Sequence, residues 1–313
     1  MGIRYDWTVD ETMALLTGLW SDLERRAKKM HALFGAQDIQ RCKLLSVKTG
    51  ACPEDCGYCS QSAHYKTDVP VEGLVSPQRV FLEASAARKE GASRFCLGAA
   101  WRDIPDDSRF EKILEMIRGV SEMGLEVCCT LGMANQEQLK AMKSAGLTAY
   151  NHNLDTSRDF YTKIIQTRTY DDRLNTLRSA REAGVQLCSG GILGMGESNL
   201  DRAKLLVELA SFEPHPESVP INLLVPIKGT PLENATPVPF EAFLRTVATA
   251  RILMPRSRVR LSAGRNQLTR EEEDKCFSVG ANSIFIGEKL LTAPNVSQVR
   301  DEGLGSVSTA SLQ

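Results

Sequence analysis

The chain lacks most features that would tie it to a large charged or lipid partner. Its 38 Lys and Arg nearly balance 39 Asp and Glu across 313 residues, with no long run of one sign. That excludes the electrostatic footprint of a nucleic-acid or anionic-membrane binder. No apolar run reaches membrane-spanning length, and the opening MGIRYDWTVDETMALL carries acids where a secretion signal needs a basic start and a continuous apolar segment. A cytoplasmic chain with a small-molecule partner, no nucleic acid and no membrane, is expected. No GxGxxG follows the first strand candidate, which weakens a dinucleotide-binding reading. Histidine is scarce, and His31, His64 and His215 stand in no partner pattern.

Cysteine is plentiful instead: Cys42, Cys52, Cys56, Cys59, Cys96, Cys128, Cys129, Cys188 and Cys276. In a cytoplasmic chain these are read as ligands, redox groups or small core residues before disulfides. The segment GACPEDCGYCSQS (Gly50 to Ser62) sets Cys52, Cys56 and Cys59 within eight residues, with three and then two residues between them. Three thiols so close would strain any disulfide and leave one over. Three thiolates suit three irons of a [4Fe-4S] cube, leaving the fourth iron open to a substrate or cofactor, whereas electron-transfer ferredoxins supply a fourth Cys. A zinc site or a purely structural loop stays open as an alternative.

Residues Val9 to Phe34 have helical periodicity, with Asp10 as the expected N-cap, and predict a lid or brace outside the main fold. A unit then recurs, a helix closed by glycine and followed by a β-rich run, at Gly91, Gly124, Gly146, Gly184 and Gly280. Ser76 before Pro77, Asn135 with Gln138, and Pro239 mark helix starts. With the runs around Leu44, Ile221 and Val259 there are eight strand candidates. Eight βα units predict an α/β fold of the (β/α)8 TIM-barrel type with an N-terminal helical extension, an open doubly wound sheet being the alternative. The expected division is an extension over 1–35, the barrel over 36–295 and a mobile Ser/Gly-rich tail over 296–313.

Alternation along strands assigns side chains to the barrel interior. Val127, Cys129 and Leu131 suit the face packed on helices, which turns Glu126, Cys128 and Thr130 inward. The same parity groups Arg94 with Cys96, Gln186 with Cys188, Arg258 with Arg260 and Ser262, Cys42 with Leu44, Ser46 and Lys48, and Asn151 with Asn153 and Asp155. A single buried Cys is more often a small hydrophobe than a ligand, and three on polar faces shift that balance only modestly. For Arg260 a charge or hydrogen-bond role is the natural reading, because guanidinium rarely sheds its proton.

The motifs RFCLGAAW, YNHNLDTS, TRTYDDRLNTL, CSGGILGMGE, SVPINLL and VRLSAGR, together with the cysteine loop, resemble those of the biotin synthases, radical S-adenosylmethionine (SAM) enzymes, from about Trp7 to Asn295. The resemblance implies that Cys52, Cys56 and Cys59 ligate a [4Fe-4S] cluster whose open iron takes SAM, and that Cys96, Cys128, Cys188 and Arg260 ligate a [2Fe-2S] cluster. It further implies Asn153 and Asp155 at the SAM ribose, Arg173 at its carboxylate, and the loop of Gly190, Gly191 and Glu197 at its methionine part. Asn151, Asn153 and Asn222 would meet the ureido ring of dethiobiotin, and Thr292 its carboxylate. Amides suit an uncharged ring offering donors and an acceptor. The implied reaction cleaves SAM to a 5′-deoxyadenosyl radical, removes hydrogen from dethiobiotin, and captures sulfur from the second cluster, in two rounds, to give biotin. A homodimer and an electron donor such as flavodoxin or ferredoxin are also implied.

Several positions carry rival readings. Tyr58 is expected either against the adenine of SAM or shaping the cysteine loop. Cys42 departs from the serine of the family pattern; a packing thiol is the plainer reading, a perturbing or occasional cluster ligand the other. Ala293 stands where a second threonine is frequent, which weakens the expected carboxylate contacts. His152, opposite in parity to its asparagines, is read as a hydrogen-bonded core histidine, and Cys129 and Cys276 as core. Other radical SAM barrels, such as mutases or hydrogenase-maturation proteins, generally lack the Cys96, Cys128, Cys188 and Arg260 set. An electron carrier or cluster scaffold would leave YNHNLD and GGILGMGE without purpose.

Overall fold

The architecture was read from a computed structural model that describes residues 2–296 and 301. Nine strands, β1 (Gln40–Lys48), β2 (Arg94–Ala99), β3 (Glu126–Thr130), β4 (Leu147–Asn151), β5 (Gln186–Cys188), β6 (Gly191–Leu193), β7 (Ser218–Leu223), β8 (Arg258–Leu261) and β9 (Ser283–Phe285), form one sheet. All their pairings are parallel, and β1 pairs with both β2 and β9, so the sheet closes. β5 and β6 are one strand position: Cys188 pairs with Ser218 and Gly191 with Ile221, so the register runs through the break unshifted. Pro220 lies opposite the break and has no N–H for the ladder. Eight positions therefore make the (β/α)8 barrel.

The helices α3 (Pro77–Lys89), α4 (Ser108–Glu122), α5 (Gln136–Ser144), α6 (Arg158–Tyr161), α7 (Tyr170–Glu182), α8 (Asn199–Ala210), α9 (Phe240–Leu253) and α10 (Arg270–Ser278) alternate with the strands. Ser76 Oγ accepts Arg79 N at the start of α3, and Asn135 and Gln138 cap α5 reciprocally. The five recurrent glycines all have positive φ, from 72° at Gly184 to 111° at Gly280, which turns each chain from helix into strand at low steric cost.

The N-terminal extension is two helices rather than one, preceding the barrel: α1 (Val9–Thr17) and α2 (Trp20–Phe34). Its cap is Thr8, not Asp10: Thr8 Oγ1 accepts Glu11 N at 3.1 Å while Glu11 Oε2 accepts Thr8 N at 2.9 Å. The break falls at Gly18, where a Cβ would stand 2.6 Å from Ala14 O. The first helix packs on α8 and α9 and the second on α9, on the outside of the barrel wall.

Two separate apolar groups result from strand alternation. Val127, Cys129, Leu131 and Cys276 belong to the large core between strands and helices. Cys42, Cys96, Cys128, Ala149, Cys188 and Phe285 form a second group. The adjacent Cys128 and Cys129 are thus divided between the two, and burying such small apolar side chains on both faces is what holds parallel strands together. Of the expected tail, all but Val296 and Asp301 lies outside the described residues. Asp301 is buried, with Oδ1 accepting from Arg265 Nη1 at 2.8 Å, and Arg265 also holds Glu273 at 3.0 Å.

Candidate active site

A cavity of about 340 Å³ opens at the C-terminal ends of the strands, where barrels of this type carry their chemistry. Cys52, Cys56 and Cys59 line it from the loop after β1. Gly50 and Ala51 start that loop with positive φ (72° and 50°), and Cys52 N donates to Gln61 O at 2.8 Å, closing it into a ring. The segment 164–168 holds its far side. Gly57 N donates to Ile164 O at 2.9 Å, and Asp55 Oδ1 accepts from Gln166 N (2.9 Å), Thr167 N (3.1 Å) and Thr167 Oγ1 (2.9 Å). Buried Glu54 pairs with Arg102 at 3.1 Å. Burial, and then neighbouring Cys56, push the Cys59 thiol up to about 12; burial also raises Cys52 and Cys56. Such thiols stay neutral near pH 7 unless a metal displaces the proton.

Cys96 and Cys128 are register partners on β2 and β3 and line the floor of the same cavity with Arg260. Cys188 lies just behind the lining, reached by Asn151 Nδ2 at 3.2 Å and Arg260 Nη1 at 3.6 Å. The contact with Cys128, and then burial, raise the Cys188 thiol well above its ordinary value. Arg260 donates Nε to Ser283 Oγ (2.9 Å) and Nη2 to Gln40 Oε1 (3.4 Å), and lies 4.9 Å from the Phe285 ring centroid.

The polar wall between the two thiol groups comes from β4 and the break in the fifth strand. Asn151 Oδ1 accepts Thr130 Oγ1 at 3.1 Å, and its Nδ2 reaches Asn153 Oδ1 at 3.3 Å. Asn153 Oδ1 also accepts Gly190 N at 3.2 Å. Asp155, at φ 66°, takes Tyr58 Oη at 2.7 Å and the Arg173 guanidinium at 2.5 Å on the same oxygen, Oδ2. The Arg173 contact is an ion pair whose angle falls outside hydrogen bonding. Arg173 further donates to Tyr161 Oη (2.8 Å) and Asn153 O (2.7 Å), so all three of its nitrogens are engaged within the wall. Asn222 bridges Gly191 O (2.8 Å) and Ala263 N (3.1 Å). Thr292, in the hairpin of β10 (Lys289–Leu290) and β11 (Ala293–Pro294), contacts Ser60 Oγ at 3.0 Å and ties the cavity rim to the cysteine loop.

Three of the expected cofactor residues stand back from the lining. Gly190 and Gly191 act by close approach: a Cβ would meet Pro220 O at 1.8 Å and Asp155 O at 2.8 Å respectively. The Glu197 carboxylate accepts Gly194 N and Met195 N (2.8 Å for the latter) and pairs with Arg202 at 2.7 Å, so it shapes its own turn. His152 does line the cavity, but Nε2 is buried without a hydrogen-bond partner among the described residues, and burial holds the ring well below its ordinary pKa. It is a neutral histidine, not the hydrogen-bonded one expected.

Residues 46–210 match the Radical SAM superfamily, and residues 220–304 match the Biotin and Thiamin Synthesis associated domain. A biotin synthase of Sorangium cellulosum is 54% identical over 311 residues, covering 99% of this chain and 88% of that protein. The chain belongs to the biotin synthase family. A family member from Ruegeria pomeroyi is 53% identical over 98% of this chain and 99% of its own length. Among solved structures, the FeFe-hydrogenase maturase HydG from Carboxydothermus hydrogenoformans superposes with a TM-score of 0.80 over 95% of this chain and 74% of its own, and methylornithine synthase (PylB) with 0.74 over 89% and 82%. At 18% identity each, they share the fold.

Radical SAM membership implies a [4Fe-4S] cluster and SAM, and the residues present fit both. No His, Cys, Asp or Glu group among the described residues could hold a single metal ion; a cube, however, spreads its thiolates over separate irons, which suits three cysteines on one closed loop. Arg168 supplies the clearest sign of an anionic occupant. It is nearly buried in the cavity wall, with Nε and Nη1 lacking hydrogen-bond partners among the described residues, while Nη2 lies 3.9 Å from Cys56 Sγ. Its ion pair to Glu54 is a long 3.8 Å. Neither Arg168 nor Glu54 was singled out from the sequence, although both sit inside the motifs TRTY and CPEDC that carry the family resemblance. Among the described residues no helix is long and apolar enough to cross a membrane.

Proposed function

We propose that the chain inserts sulfur into dethiobiotin to close the ring of biotin, using SAM and two iron–sulfur clusters. One observation carries the reading: Cys52, Cys56 and Cys59 at the rim and Cys96, Cys128 and Arg260 on the floor line a single cavity. When bound, a [4Fe-4S] cluster supplies the electron that splits SAM, and a [2Fe-2S] cluster held by Cys96, Cys128, Cys188 and Arg260 supplies sulfur. The protein's own task is to place the reactants between the two and keep water away, since an alkyl radical attacks whatever it meets.

Asp155 is oriented for a ribose hydroxyl by Tyr58 and Arg173, and Asn153 stands beside it. Arg173 takes the SAM carboxylate only by exchanging one of its present acceptors, and Arg168 brings donors without hydrogen bonds among the described residues to the same wall. Asn151, Asn153 and Asn222 offer amide donors and acceptors for an uncharged ureido ring. Thr292, in the cavity lining with its hydroxyl against Ser60 Oγ, would meet the substrate carboxylate. The electron donor is a flavodoxin or ferredoxin, and the protein works as a cytoplasmic homodimer; these last points rest on the family.

The test is anaerobic reconstitution with iron and sulfide, followed by SAM, dithionite and dethiobiotin. Biotin and dethiobiotin-dependent 5′-deoxyadenosine are expected. Deoxyadenosine formed at the same rate without dethiobiotin overturns the substrate assignment.

A further inference from the structure

Cys42 is completely buried in the interior group with Cys96, Cys128, Cys188 and Phe285. Besides that apolar group, its Sγ stands 3.7 Å from Gln40 Oε1 and 3.8 Å from Ser283 Oγ. Those are the two oxygens that hold Arg260, through Nη2 at 3.4 Å and Nε at 2.9 Å, and they bond each other at 3.2 Å. Cys42 and Arg260 therefore flank one pair of polar anchors at the β1–β9 wall, while Arg260 Nη1 reaches the other way, to Cys188 Sγ on β5. Like Cys188, Cys42 lies just behind the cavity lining rather than in it.

The chemistry of these two neighbours is unequal. Iron in sulfide clusters is most often held by thiolate, with neutral histidine on one iron of Rieske centres, whereas a guanidinium has no free lone pair until it gives up a proton it holds strongly. We propose that Cys42 is an exchangeable ligand to the iron that faces Arg260, so that this chain can hold its second cluster with four thiolates as well as with three and an arginine. The exchange is redox-neutral. An Sγ–Fe bond forms as the N–Fe bond breaks, and the proton leaving the thiol is the one that restores the guanidinium. The inference rests on the two-cluster reading above and adds a residue to it.

Iron content tests it without turnover. Wild type, Cys42→Ser, Arg260→Ala and the double variant are reconstituted anaerobically with iron and sulfide, and iron per chain and the visible absorption spectrum are recorded. Wild type and each single variant should hold about six irons, with the Arg260→Ala spectrum differing from that of Cys42→Ser, and the double variant should fall to about four, the complement of the loop cluster alone. Retention of those four and an unchanged far-UV circular dichroism spectrum report an intact fold; if Arg260→Ala fails on that count, Arg260→Gln replaces it in both the single and the double variant. The proposal is overturned if the Arg260 variant drops to about four by itself, or if the double variant keeps about six. A wild type that never exceeds about four would sink the two-cluster reading, and the Cys42 proposal with it.

Discussion

Replacing Asp155 separates two physical roles of one residue. Its carboxylate neutralises the buried Arg173 guanidinium, and its backbone sits at φ 66°, a region that Asn and Asp tolerate and Ala does not. Removing one partner of a buried pair costs about 3–5 kcal/mol. Arg173 keeps Tyr161 Oη and Asn153 O as acceptors, so Asp155→Asn should lie near the low end, about 3 kcal/mol. Asp155→Ala meets the same loss and adds the left-handed backbone penalty, about 1–2 kcal/mol more. Urea unfolding of the cluster-free chain, with m-values compared across variants, reads both terms. Asp155→Asn within about 1 kcal/mol of wild type would refute the buried-pair argument, and Asp155→Ala no less stable than Asp155→Asn would refute the backbone argument. Both variants should also lose SAM binding in equilibrium dialysis.

Gly190→Ala forces a methyl 1.8 Å from Pro220 O, a backbone atom that cannot swing aside, so a loss of about 3 kcal/mol or more is expected in urea unfolding, with insolubility as the extreme outcome. Half-buried His31 is held down to about 4 by burial and by Arg251 and Arg258. The unfolded chain then binds more protons between about pH 6.5 and 4, so stability falls as pH drops through that window. After discounting for its open side, about 1–2 kcal/mol of that loss should vanish in His31→Gln, measured as the difference between the two pH profiles. Asp301→Ala leaves Arg265 with Glu273 and Phe285 O, and should cost about 1–3 kcal/mol in the same unfolding assay.

Regular features of the fold were legible because they repeat. Five glycines at helix ends, with the β-rich runs around Leu44, Ile221 and Val259, were enough to predict eight strand positions, and a two-residue alternation to divide Cys128 from Cys129. Features set by single long-range contacts left no such trace. The break in the fifth strand arises from Pro220 on a neighbouring strand and from Gly190 pressed against it, and neither announces the other in sequence. The Thr8 cap outcompetes Asp10 because Glu11 can reach back to Thr8 N, a reciprocity visible as T-x-x-E. Arg168 and Glu54 are 114 positions apart and meet only in the folded wall. Glu197 is placed at the methionine part of SAM by the family resemblance alone; in the fold its carboxylate accepts Gly194 N and Met195 N, contacts that no spacing in the sequence announces. Parity brought Cys42 inside, but only the shared Gln40 and Ser283 anchors set it beside Arg260.

The central claim is that sulfur leaves the barrel strands for the substrate while the loop drives the radical step. The direct measurement loads the protein with heavy-isotope sulfide during reconstitution, removes free sulfide, adds SAM, dithionite and unlabelled dethiobiotin, and weighs the biotin formed. Heavy sulfur in the product, with Cys128→Ala still cleaving SAM but making no biotin, is the predicted result. Biotin carrying unlabelled sulfur, or biotin still made by Cys128→Ala at the wild-type rate, would contradict it.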